Sequence, residues 1–436
     1  MPQRELIVFS HLPDGFVPGG RLTLTEDHAA VTASRFSYGL QYLARGGHFE
    51  IDPVSLPFED DAAKARGVEF FPANGLTQFG AIRDAAPDAW GRRVIEAHRR
   101  VPANSLPESE YLLGAGSDRV GALDVREDLT SPPSGGAGGA QSLGYLLDAA
   151  ERIEMGEAVP AQLADVFGAG ASAGGARPKA SIRDEDGVLW LAKFPSFGDS
   201  FEVAEAEHRT LSLAGLCGMR VPESKVIDLG GKPVLLIRRF DRYWLPRGDT
   251  HHEQRLPLIS GLTLVGCDEF ESREKSYADL VQAVRRHVHP LAIRPDCEEL
   301  FARMVFNIFV SNDDDHLRNQ AFVRDPALPG WRLSPLYDVV PRPGVAFDRF
   351  LHLGVGAQGK LATLDNAMSA HTAFMPQRAE ALAIVRRVWG EVRQWKTHFE
   401  GWGATGRLID QMSSAYRDLD DIASPVLRAE IRKGTE

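Results

Sequence analysis

Ser311-Asn312-Asp313-Asp314-Asp315-His316-Leu317-Arg318-Asn319 is the stretch on which the reading of this chain turns. It directly follows an apolar helical pattern, Glu298–Val310. There Leu300, Phe301, Met304, Val305, Ile308 and Phe309 form a broad face that predicts burial on a helical core. Three adjacent carboxylates beside a core are costly. They repel one another unless a proton or a cation is shared. A hard cation with oxygen ligands meets that need. The competing structural reading is a solvated acidic loop built of Asx turns.

Composition frames the possibilities. The chain has 436 residues, 43 % hydrophobic and 25 % charged, so wholesale disorder and collagen-like repeats are excluded. At roughly 100–200 residues per domain, about two to four domains are expected. The net charge of −11 argues against broad nucleic-acid coating. Cys217, Cys267 and Cys297 include no C-x-x-C pair and cannot build a disulfide framework. They read as inert thiols of a reducing compartment. No apolar run reaches the length of about 18 residues that a membrane span requires. The opening MPQRELIVFSHLPDG carries too short an apolar core for a signal peptide. A soluble cytoplasmic protein is expected.

Working outward from the acidic loop, the organisation is small and β-rich first, large and helical after. Leu129–Ala140, LTSPPSGGAGGA, reads as a linker or long loop. Before it, Leu6–Ser10 and Arg21–Thr25 predict strands, residues 41–43 a short helix, and Asp88–Arg99 a helix. After it, Ser142 is a predicted N-cap for a helix carrying Leu143, Leu146, Leu147, Ala150 and Ile153. Two hairpins are predicted, Lys179–Ile182 with Val188–Phe194 and Lys225–Leu229 with Pro233–Arg239. Helices are predicted over Glu202–Leu216, Tyr277–His289 and Pro376–Glu400. The resulting division is 1–128, an α/β N-terminal subdomain; 129–141, a linker; 142–242, a β-rich lobe; and 243–436, a helical lobe. The fold class is α/β (α+β), two-lobed, with room for a ligand between the lobes.

Phosphoryl transfer needs a carboxylate to accept a hydroxyl proton, and an amide oxygen with a second carboxylate to hold magnesium. In kinase catalytic loops the Asp precedes the metal-binding Asn by five residues, and a later Asp completes the site. Asp314 stands five residues before Asn319, and Asp338, in Leu336-Tyr337-Asp338, comes nineteen after it. His316 is a candidate brace for the loop. The rival metal-hydrolase reading wants more ligands nearby, and the remaining cluster, His251-His252, reads as an exposed polar loop.

A kinase also needs phosphate binders. The segment 168–179 is rich in glycine, with Ser172, Gly174, Gly175 and Lys179 along it. Its backbone N–H groups can approach phosphates closely. It is not a Walker loop, because G-x-x-x-x-G-K-[ST] is absent. Lys193, in WLAKFP, stands where a kinase lysine meets nucleotide phosphates, and Glu202, Glu205 and Glu207 follow as candidates to orient it. Arg238–Arg242 marks the passage between lobes, where backbone groups could meet adenine.

Taken together, these residues resemble the HipA-type serine/threonine kinases, the toxins of bacterial type II toxin–antitoxin modules. N-x-D-x-H-x-x-N appears as Asn312, Asp314, His316 and Asn319. S-x-x-G-A-x-x-K runs from Ser172 to Lys179, R-F-D-R is Arg239–Arg242, and the Tyr-Asp metal motif is Tyr337-Asp338. Pro87–Arg92, PDAWGR, and Leu113–Leu123, LGAGSDRVGAL, resemble the family's two N-terminal signatures. Arg238 stands where the family often has Glu, and Arg177-Pro178 replaces a common Gln-Glu.

The resemblance implies a protein-kinase-like fold that uses ATP and magnesium. It implies Asp314 as base, with His316 in the same catalytic loop, and Asn319 and Asp338 as metal ligands. Lys193 would contact phosphates, with Ser172, Gly174, Gly175 and Lys179 lining the nucleotide loop. Backbone around Arg238 and Phe240 would hold adenine. Ser172 would be autophosphorylated, and the added charge would repel nucleotide phosphates. It further implies a protein substrate, with aminoacyl-tRNA synthetases as the known target class and growth arrest as the result. The expected partner is a small helix-turn-helix, HipB-like antitoxin, which would supply most contacts to operator DNA. The alternative is a catalytically silent scaffold acting as co-repressor.

Overall fold

Tight turns define the first sheet. Pro13-Asp14 joins strands Gln3–Leu12 and Gly15–Asp27, with Gly15 at φ +108°. His28-Ala29 then leads into Ala30–Tyr38. In this computed structural model, residues 2–58, 62–135, 138–139, 143–157, 175–247, 250–328, 330–375 and 377–433 are described. The sheet runs Ala30–Tyr38, Gly15–Asp27, Gln3–Leu12, Leu123–Arg126, antiparallel throughout. Leu6, Val8, Leu22, Leu24 and Phe36 are buried on it. The two predicted strands are found and extend further. Ala30–Tyr38 is a strand that the sequence reading did not single out.

Two compact units result. One comprises Met1–Gly198 with Ile227–Cys267, the other Asp199–Val226 with Asp268–Glu436. In the first unit a second sheet runs Gly138–Gly139, Lys179–Arg183, Leu189–Lys193, Pro233–Arg238. The Lys179–Arg183 and Leu189–Lys193 strands form the predicted hairpin, in antiparallel register. Helices Ala89–Arg99 and Leu143–Met155 pack on this sheet. Trp90, Val94, Leu146, Ala180, Ile182, Trp190, Ala192 and Phe194 share one buried cluster. Asp88 caps the first helix by accepting from the Gly91 N–H at 2.7 Å. Ser142 lies outside the described residues. The described start of the predicted linker is tied down: Ser117 N–H donates to Ser134 O at 2.7 Å, and Ser134 N–H donates to Ser117 Oγ at 2.9 Å.

A buried charge network fastens this unit. Asp241 accepts from Arg239 Nε at 2.7 Å and Nη2 at 2.6 Å, from Arg242 Nη1 at 2.7 Å, and from the Gly121 N–H at 2.8 Å. Both arginines also donate to Arg119 O, at 3.2 and 2.8 Å. The R-F-D-R motif is therefore locked to the LGAGSDRVGAL segment, 120 residues earlier. Thr250–Arg255 is a strand paired with Arg242–Arg247, where an exposed loop around His251-His252 was expected. Its polarity is satisfied by charge: Arg255 Nη2 lies 3.0 Å from Asp118.

In the second unit, Ser276 and Asp279 form a capping box on helix Tyr277–His287. Helix Pro290–Val310 starts eight residues before the predicted Glu298, with Pro295 inside it. The long helix predicted after Pro376 is two, Arg378–Val392 and Trp395–Gly401. This mainly helical unit also carries one antiparallel hairpin, Ala321–Asp325 with Gly330–Leu333. The three cysteines are free and buried, and burial pushes Cys217 up to about 12 and Cys297 up to about 11. Among the described residues no helix is long and apolar enough to cross a membrane.

Asp241 tests the network. Burial alone would raise its carboxyl, but Arg239 and Arg242 hold it well below the usual range. Its contribution is thus complete above the unfolded-state value of about 3.9 and is lost as pH falls through the folded value. Asp241→Asn leaves two buried guanidiniums under-compensated and should cost about 3–5 kcal/mol. Denaturant unfolding checks this. A loss below about 1 kcal/mol, or an unchanged acid limb of the stability curve, would contradict it.

Candidate active site

The acidic loop is positioned by the end of helix Pro290–Val310. Ser311 takes the left-handed conformation, φ +53°, and Asn312 N–H returns to Asn307 O at 3.1 Å. The three aspartates then separate. Asp315 turns inward and is buried. It accepts from Asn307 Nδ2 and Gln320 Nε2, each at 2.7 Å, and from the Tyr277 hydroxyl. Burial raises its carboxyl, and the Tyr277 and Gln320 donors work against that rise. Asp313 and Asp314 face out, with side chains 44 % and 58 % exposed. Arg342 bridges them, 2.8 Å from Asp313 and 3.4 Å from Asp314. Burial raises the Asp313 carboxyl, with Arg342 opposing.

Asn319 is locked to Asp314. Its Nδ2 donates to Asp314 O at 2.9 Å, its N–H donates to His316 O at 2.9 Å, and the His316 N–H donates to Asp314 O at 2.9 Å. With the amide nitrogen committed, the side-chain oxygen is the end of Asn319 that could ligate a cation. Tyr337 donates to Arg318 O at 2.7 Å, which ties the Tyr-Asp motif to the acidic loop through the tyrosine hydroxyl. Asp338 is held at φ +57°, a strained conformation of the kind that clusters at functional sites. An amide oxygen and a carboxylate suit magnesium, which keeps waters and substrate phosphates as its other ligands. Among the described residues no group of three or more His, Cys, Asp or Glu could hold a metal ion. His316 was expected to brace the loop by hydrogen bonding. Its ring stands edge-on to His352 at 5.6 Å, and Nδ1 has no hydrogen-bond partner among the described residues.

The first unit holds the candidate phosphate binders. Lys179 and Lys193 are directly opposite in the antiparallel register, so both side chains stand on one face of the sheet. Both are buried. Asp88 compensates this like-charge pair, with Lys179 Nζ 2.9 Å from its Oδ2. Gly175 has φ +94°, and a Cβ there would approach Lys179 Nζ to 3.2 Å, so glycine is required. Its carbonyl accepts from the Trp90 N–H at 3.3 Å. Ser172 and Gly174 lie outside the described residues. Arg238 is exposed and Phe240 half-buried. Between them, the Arg239 N–H already donates to Leu189 O at 2.9 Å and is not available to a base edge.

Sequence reading missed Asp88 as the partner of Lys179, and Tyr277, Asn307, Gln320, Arg342 and His352 as the frame of the acidic loop. The separation is 91 residues between Lys179 and Asp88, 38 between Asp315 and Tyr277 and 28 between Asp314 and Arg342, and no local spacing signals these. Adjacent aspartates should therefore respond oppositely. Asp314→Asn should leave the unfolding midpoint unchanged. Asp315→Ala strands three buried donors and should cost about 3–5 kcal/mol. Equal effects on thermal unfolding would contradict the assignment.

Comparison with known proteins follows this geometry. The protein named "Putative kinase Y4mE" of Sinorhizobium fredii is 26 % identical over 333 residues, covering 70 % of this chain and 75 % of its own length. "Putative kinase Y4dM" of the same organism is 29 % identical over 215 residues, covering 45 % and 48 %. Among solved structures, a chain of the Shewanella oneidensis toxin–antitoxin complex of HipA, HipB and operator DNA matches 98 % of this chain and 97 % of its own. Its TM-score is 0.66 at 15 % identity, so the two share a fold, the kinase-like α/β architecture that the motif order implied. The family model for the HipA-like C-terminal domain matches residues 171–396. That span is more than half of the sequence, and the chain belongs to the HipA-like C-terminal domain family.

Proposed function

We propose that this protein is an ATP- and magnesium-dependent serine/threonine protein kinase of the HipA toxin type. The observation that carries this reading is the sorting of the acidic triplet. One carboxylate is consumed by the core, while Asp314 stays exposed five residues before an Asn319 locked to its backbone. In this reading Asp314 accepts the proton of the acceptor hydroxyl as its oxygen bonds to the γ-phosphorus and ADP leaves. Asn319 and Asp338 hold magnesium, which when bound neutralises charge on the phosphate oxygens. Lys193 contacts the phosphates, and Lys179, salt-bridged to Asp88, anchors the glycine-rich segment.

Ser172 is the proposed autophosphorylation site, and its modification would oppose nucleotide binding by charge. The relatives named as kinases support phosphoryl transfer. The Shewanella complex, with HipA, HipB and operator DNA, supports a small DNA-binding antitoxin as partner. Arrest of growth through an intracellular protein target, such as an aminoacyl-tRNA synthetase, completes the proposal and places the protein in the cytoplasm.

Intact-mass spectrometry after incubation with Mg-ATP tests it. Wild type should gain one phosphate, located on Ser172, and Asp314→Asn should gain none. Wild type that starts unmodified and stays so with ATP and magnesium present would contradict the reading.

A further inference from the structure

Helix Pro290–Val310 carries a polar stripe that the assignments above use only near its end. Asp296, Glu299, Arg303 and Asn307 recur at helical spacing and share one face. Asp296, Arg303 and Asn307 are buried. Asn307 serves Asp315, and the other three hold the hairpin that follows the acidic loop. Arg303 stands at the open end of that hairpin, Ala321–Asp325 with Gly330–Leu333, where the Ser334 N–H still donates to Ala321 O at 2.8 Å. Its Nη1 donates to Gln320 Oε1 at 3.0 Å, and its Nη2 to Ser334 O and Glu299 Oε1, each at 2.5 Å. Gln320 directly follows Asn319, and its Nε2 donates to Asp315. Ser334 leads into Leu336-Tyr337-Asp338, and this second exit is tied twice more. Leu333 N–H donates to Asp296 Oδ2 at 2.6 Å, and Leu336 N–H to Arg220 O at 2.7 Å. Arg220 is itself paired with Asp296 at 3.0 Å and with Glu299 at 2.6 Å.

We infer that Arg303 is a positioning residue: its guanidinium fork joins the segment that carries Asn319 to the segment that leads to Asp338, and so fixes how the two take a divalent cation. The inference rests on the kinase reading above and deepens its metal site. Stability alone does not account for this residue. Burying a guanidinium is costly, and well-packed apolar side chains often serve a core as well. An apolar side chain cannot bind oxygens from two segments at once. Lysine would keep the charge but not the planar fork that reaches both. Glu299 aims that fork, because its second oxygen is held by Arg220. Groups that stand behind metal ligands govern affinity, and replacing them typically costs about 10- to 100-fold in metal binding.

Manganese binding to the full chain, read by electron paramagnetic resonance with a non-hydrolysable ATP analogue present, tests this. Arg303→Lys should weaken manganese binding by about tenfold or more. Affinity for the analogue without metal should stay as in wild type, whereas general loosening of the fold would lower both. The unfolding transition is recorded alongside. If Arg303→Lys does not fold, Glu299→Gln decides, because it keeps the shape and removes the charge that aims Arg303; its manganese affinity should fall in the same direction. Unchanged manganese affinity in the variant that decides, or an equal loss of metal and metal-free nucleotide binding, would overturn the positioning role and leave the kinase reading standing. A wild type that takes up no manganese with the analogue and transfers no phosphate from Mg-ATP would instead defeat the kinase reading and the inference with it.

Discussion

Asp315 is a buried carboxylate held by three side chains, Tyr277, Asn307 and Gln320, and the geometry of the acidic loop follows from that constraint. A buried carboxylate without donors would be severely destabilising. With its donors it becomes a pin. With Asp315 pinned inward, Asp313 and Asp314 are left on the exposed side of the loop. Asn307 does double duty, since its Oδ1 also accepts from Asn312 Nδ2 at 3.0 Å. Both ends of the Asn312–Asp315 stretch are thereby fixed to one residue of a buried helix. What reads in sequence as three equivalent acids is one structural group and two exposed ones.

The first unit uses the same physics with the opposite distribution. Its buried charges are paired rather than presented. Asp241 pairs with Arg239 and Arg242, and Asp88 pairs with Lys179. Lys179 and Asp88 are 91 residues apart, and Asp241 accepts from the Gly121 N–H 120 residues earlier, so each group joins an N-terminal signature to a motif of the later, β-rich part. Trp90 extends the second junction, with Nε1 donating to Lys179 O at 2.9 Å. The N-terminal signatures thus act as receptors for charged residues of the kinase-like sheet. Removing one partner would leave an uncompensated ion in the core, which constrains both segments together.

Local signals were legible in the sequence, and long-range ones were not. The hairpin at Lys179–Lys193 and the helices that start at Asp88 and Tyr277 each rest on turn or helix-start chemistry within a few residues, and each is found. Pro295 disguised the start of its helix, because a proline near the first turn resembles a breaker. Ala30–Tyr38 carries Ser and Arg between its buried residues, and Thr250–Arg255 is polar throughout, so neither shows a strand's apolar alternation. The offset between Asp314 and Asn319 singled out one aspartate of three. It could not reveal why that one is exposed, because Tyr277 lies 38 residues from its partner. R-F-D-R was read as a connector meeting adenine. The buried pairing with Gly121 and Arg119 was invisible to spacing, and it gives those arginines a structural task.

The central claim is transfer of the γ-phosphoryl group to a hydroxyl. The most direct measurement supplies the wild-type protein with magnesium and either γ- or α-labelled ATP, followed by phosphoamino-acid analysis of every labelled protein. The account predicts label from the γ-position alone, recovered as phosphoserine or phosphothreonine. Label from the α-position, or release of free phosphate with no labelled protein, would contradict it.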